Sequence, residues 1–226
     1  MIETMTAPTG ARERSGALVR ALLLGGALAG PLYVTVGLIE AFTRPGFDIR
    51  RHDLSLLANG DLGWIHMADL IVTGLLVVGA AVGMRAVLAA GRGRTWGPLL
   101  VGVFGLGMVG GGFFTADPAL GFPPGTPADA STITWHGLLH LVSAAIGFLA
   151  LIAGCLVLAR RFAGLGERAW AAYSAATGVL FLVAFASAVA ASGAGWSVLT
   201  LWIGVILAFA WVTTTCLRLR SAAAHR

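Results

Sequence analysis

Six apolar blocks, at about 17–40, 65–90, 96–115, 135–159, 169–191 and 196–217, limit what this chain can fold into. A helix rises about 1.5 Å per residue, so roughly twenty residues cross the ~30 Å hydrocarbon layer of a bilayer. Each block meets that length. Charged residues make up 11% of the chain, less than half the ~25% of soluble proteins, which is too few to cover a water-facing surface. The blocks predict an all-α integral membrane bundle of six transmembrane helices in a single domain, 17–217, flanked by tails at 1–16 and 218–226. The first block follows Arg12, Arg14 and Arg20 as a secretory signal core would, but its length marks it as a retained helix.

Direction in the membrane follows from the arginines. If six helices alternate, twelve of the fifteen arginines fall on one side, and only Arg44, Arg50 and Arg51 fall on the other. The positive-inside rule then places both termini and the 91–95 and 160–168 loops in the cytoplasm of a multi-pass cell-membrane protein. Trp64, Trp96, Trp135, Trp170 and Trp196 stand at or just before block starts, where an amphipathic ring prefers the headgroup layer. This accounts for the net charge of +5 without nucleic acid. Cys155 and Cys216 fall in or at the end of apolar blocks and predict packing, with no disulfide.

Two longer loops, about 41–63 and 116–134, are expected to face outward. The second, with Pro118, Pro123, Pro124 and Pro127, reads as an ordered cap or lid. The third block is glycine-rich, with Gly107 and Gly111 four apart; small residues let helix backbones approach in lipid, which predicts a tight contact and a central position for this helix.

Seven acids (Glu40, Asp48, Asp53, Asp61, Asp69, Asp117, Asp129) and four histidines (His52, His66, His136, His140) map to the outer end. His136 and His140 share a helix face at four-residue spacing, and His66, Asp69 and Thr73 form a polar stripe on the second block. A carboxylate inside a spanning helix needs a partner, so Asp69 is expected to face the bundle, with one of these histidines beside it. His66, His136 and His140 with Asp117 or Asp69 make a candidate zinc set, since nitrogen and oxygen donors in that number suit the ion. Asp53, Ser55 and Asp69 complete the outer polar cluster. Ser55 with His52 forms a weaker nucleophile pair; a short interfacial helix beginning at Asp53 or Ser55 explains the same residues. A hydrogen-bonded cap or ligand site, haem held by histidines, and a proton relay through Asp69 and His66 are the other readings.

Phe47-Asp48, His52 to Leu56, Gly63-Trp64, Gly112-Phe113-Phe114 with Asp117-Pro118, and His136-Gly137 to His140 together resemble the bacterial membrane family catalogued as domain of unknown function 998, over about residues 20–215. That resemblance implies a multispanning protein and no reaction. A weaker likeness runs to the membrane hydrolases that include alkaline ceramidases and adiponectin receptors. It implies a zinc site, here on Ser55, Asp117, His136 and His140 with His66, although a helix is missing and Ser55 sits in a loop. The function expected is a polytopic membrane protein whose outer His/Asp cluster is a structural cap or a site for a lipid or small molecule. The alternatives are a zinc-dependent hydrolase at the outer leaflet and a proton-linked transporter.

Overall fold

The computed structural model describes residues 9–88, 90–191 and 194–224. It is all-α among those residues: α1 (Thr9–Thr43), α2 (Gly63–Val87), α3 (Trp96–Phe113), α4 (Trp135–Gly164), α5 (Arg168–Ala190) and α6 (Gly195–Ala224), with a short 3-10 helix at Leu54–Ala58. Six helices are long and apolar enough to cross a membrane, with spans of 18 to 30 residues. The apolar blocks therefore correspond one to one with helices. α1, α4 and α6 run beyond the predicted limits, chiefly toward the arginine-rich end. Hydropathy stops where arginine begins, whereas the backbone ladder continues through a good helix former whose head reaches the interface.

The helices close into a ring in chain order, each packed chiefly on its two neighbours, with α6 returning to α1. Leu75, Val82, Leu106, Ile146 and Val183 are exposed on the outside, as lipid-facing positions must be. Leu23, Val77, Phe104, Leu151, Phe181 and Phe209 are buried in the core. α3 is one wall of this ring and not its centre, which corrects the expectation from glycine content. The tight contacts are real and lie on two faces: a Cβ at Gly105 would sit 2.7 Å from the Gly74 carbonyl of α2, and one at Gly107 would sit 2.7 Å from the Ser143 carbonyl of α4. Gly111 makes no such backbone contact; the His140 ring lies over it.

At the arginine-rich end the side chains serve as ties. Arg161 donates to the carbonyls of Ala90 (2.7 Å) and Arg92 (2.9 Å). Arg218 pairs with Glu167 and stacks on Trp170 and Phe162. Cys155 and Cys216 are buried and free.

Candidate functional site

The opposite end is built from the loops between α1 and α2 and between α3 and α4. His52 joins them. Its Nδ1 accepts from the Asp48 backbone N–H (2.9 Å), so its Nε2 carries the proton and donates to the Leu120 carbonyl (3.2 Å). Trp202 of α6 donates to the His52 carbonyl, and Phe47 packs edge-on to Phe122. Leu56 and Leu57 bury beneath Phe122. Both His52 nitrogens are thus committed to backbone, and the pairing of His52 with Ser55 for nucleophilic chemistry does not form. The expected short helix is present with Asp53 at its N-cap position, but the Asp53 side chain makes no capping bond.

Asp117 has an equally definite task. Its carboxylate accepts from the Thr134 N–H (2.8 Å) and hydroxyl (2.6 Å), and the Thr134 hydroxyl in turn accepts from the Gly137 N–H. This clamp satisfies an orphan donor at the start of α4. A Cβ at Gly137 would collide with the Asp117 carboxylate. The Asp117-Pro118 and His136-Gly137 motifs are two halves of one helix cap. His136 lies against Trp135 and Phe114.

Between α1 and α2 lies a buried ionic chain that the sequence reading missed. Glu40 accepts from Arg44 (3.2 Å) on one oxygen and contacts His66 Nδ1 (3.2 Å) with the other. Arg44 also donates to the carbonyls of Leu57 (3.1 Å) and Asn59 and stacks over Phe122. An arginine on the side with few arginines is therefore a buried staple. The four-residue spacing of Glu40 and Arg44 at a helix end was the available signal. Asp69 is 6% exposed and faces the bundle as expected. Its Oδ1 accepts from the Thr73 hydroxyl (3.3 Å), and its second oxygen, like His66 Nε2, has no hydrogen-bond partner among the described residues.

The zinc donors are accordingly dispersed. His66 turns to Glu40, Asp117 to Thr134, His136 to the rings beside it, and His140 Nδ1 to the carbonyls of Phe114 (2.8 Å) and Gly111 (3.1 Å). Among the described residues no group of three or more His, Cys, Asp or Glu is placed to hold a metal ion.

What the fold does bring together is a cavity of about 390 Å³ inside the ring, beneath the loops. Its body is apolar, with Phe104, Met108, Phe148, Phe181, Val205 and Phe209 among its walls. Its polar lining is Asp53, Ser55, His140, Ser143, Tyr33 and Trp202, whose indole N–H is bound to the His52 carbonyl. Leu141 of α4 and Val189 of α5 also line it and are 54% and 67% exposed, so the cavity wall reaches the surface at these two helices. His140 donates from Nδ1 to carbonyls, which can only accept, and this fixes the tautomer with a basic Nε2. Asp53 lines the cavity and is exposed. The protein around it pushes its carboxyl above the ordinary carboxylate value, with His52 and His140 opposing.

A family model described as protein of unknown function (DUF998) matches residues 27–218. The chain belongs to this family. No curated protein and no solved structure matches it. In this DUF998 protein the motifs that carry the likeness meet at the loop end: Asp48 and His52 tie the loops, Leu56 seats Phe122, and Asp117 with Gly137 caps α4. Ser55 and His140 line the cavity together, with Asp53 as the accompanying carboxylate and not Asp117.

Proposed function

We propose that this protein takes a single-chain amphiphile from the outer leaflet into the cavity beneath its loops, holding the polar group against Asp53, Ser55 and His140 and the tail among the phenylalanines. The cavity carries this reading: an apolar volume with a few polar groups is the general form of a small-molecule site, and a wall that includes the exposed apolar side chains of Leu141 and Val189, on helices long and apolar enough to cross a membrane, suits a ligand that arrives through the bilayer. The arginine asymmetry supports placing the loop end outside and both termini in the cytoplasm of the cell membrane. The latched loops serve as the cap of this chamber.

Native mass spectrometry of protein released from detergent tests the proposal. The wild type should retain a lipid-sized adduct. Ala144→Phe fills the cavity and should remove it, while Ala210→Phe, which adds the same volume to an exposed position away from the cavity, should keep it. Equal adducts in all three, or none in the wild type, would count against the site.

Proton-linked transport is a second reading, supported by Glu40, His66 and Asp69 buried inside the ring, with His66 Nε2 and one Asp69 oxygen unpartnered among the described residues. Proton flux in reconstituted vesicles that is unchanged by Asp69→Asn would remove it.

A further inference from the structure

We infer that the amphiphile's headgroup donates hydrogen bonds and is cationic or neutral, as in a long-chain amine or alcohol, and is not a phosphate or a carboxylate. The inference rests on the cavity being a ligand site and specifies what it takes. Two polar groups lining the cavity, Asp53 and His140 Nε2, can only accept, and the obligate donor among them, Trp202 Nε1, is already given to the His52 carbonyl. Asp53 offers a carboxylate. His140 offers Nε2 as a lone pair, because Nδ1 carries the proton bound between the Gly111 and Phe114 carbonyls. Ser55, Ser143 and Tyr33 have hydroxyls that serve either way.

Anion recognition needs the reverse set, usually arginine or lysine or a group of backbone N–H donors. No basic side chain other than His140 lines the cavity among the described residues. Arg44 has its guanidinium bound to Glu40, Leu57 and Asn59, and Arg50 and Arg51 are exposed and do not line it. A phosphate placed beside Asp53 would meet like charge, which costs affinity. A protonated amine meets a carboxylate and a basic nitrogen, both of which accept from it. An alcohol donates to either and accepts from a hydroxyl.

The experiment is competition at the full-length protein in nanodiscs, with radiolabelled dodecylamine as probe and unlabelled dodecylamine, dodecanol, dodecanoate and dodecyl phosphate as competitors. Chain length is constant, so the tail's contribution cancels. The amine and alcohol should compete at least about tenfold better than the two anions, the worth of one good charge-assisted contact. Asp53→Asn should weaken the amine about tenfold and leave the alcohol within about threefold, since the amide keeps an acceptor but loses the charge. Anions competing as well as the amine, or an amine indifferent to Asp53→Asn, would overturn the headgroup assignment. If Ala144→Phe leaves probe binding unchanged, the cavity itself is not the site, and that outcome is distinct from a wrong headgroup.

Discussion

The latched loops and the chamber beneath them use the same residue types to opposite ends. In the latch, His52 has both nitrogens bound to backbone, Asp117 holds Thr134 with both oxygens, and Arg44 bridges Glu40 to two carbonyls. In the chamber, His140 spends only Nδ1 on backbone carbonyls, and the Asp53 and Ser55 side chains line the volume with no hydrogen bond to a partner among the described residues. Residue type alone does not distinguish a joint from a site. What distinguishes them is whether hydrogen-bonding capacity remains after the fold has formed, because a buried polar group left unsatisfied is costly unless something else satisfies it.

The comparison breaks most easily at Arg44. Arg44→Met leaves Glu40 as a buried carboxylate without its cation and frees two loop carbonyls, which should destabilise the protein by about 3–5 kcal/mol. Thermal unfolding in detergent measures it, and Arg44→Met with Glu40→Leu should recover much of the loss, since no uncompensated charge is then buried. An Arg44→Met protein as stable as wild type would mean that the ionic chain is not a joint.

The α4 cap gives the next effect. Thr134→Ala should cost about 1 kcal/mol, the usual worth of an N-cap side chain. Gly137→Ala should cost more, about 1–3 kcal/mol, because its methyl displaces the Asp117 carboxylate. If both variants unfold with the wild type, the Asp117 clamp is ornamental, and Asp117 returns as a candidate for chemistry.

The smallest effect sharpens the chamber side. Partial desolvation of the carboxyl by the surrounding protein raises the Asp53 pKa, so the folded state holds its proton to higher pH than the unfolded chain does. Stability from this group therefore falls as pH rises above the ordinary carboxylate value and stays lowered above the folded pKa. Asp53→Asn should raise the unfolding temperature at neutral pH, with the gain vanishing once the medium is acidic enough to protonate the wild-type carboxyl. A variant less stable than wild type at neutral pH would show that Asp53 is a joint after all.

The helices were legible because each rests on local information. Twenty apolar residues in lipid must satisfy their own backbone, and a helix does so within the segment. The buried face of Asp69 and the close contact at Gly107 followed from the same reasoning, whereas Gly111 lies under the His140 ring and makes no backbone contact of that kind. The site was legible only in part. Ser55, Asp53 and His140 were recognised as polar groups at one end, yet the expected metal set joined His140 to Asp117, His136 and His66. Helical spacing predicts which residues of one helix share a face and is silent on rotation against neighbouring helices. Glu40 was counted among the outer acids and not seen as the partner of His66, because that pairing crosses from α1 to α2.

The sequence by itself determined six spans, their alternation and the concentration of chemistry at one end, since hydropathy and helical rise act along the chain. Only the tertiary structure decided which polar groups became joints and which were left facing a cavity. That outcome depends on pairings across 26 to 68 residues, such as Glu40 with His66 and His52 with Leu120. They are fixed by how the closed ring rotates each helix and by where the two loops meet above it.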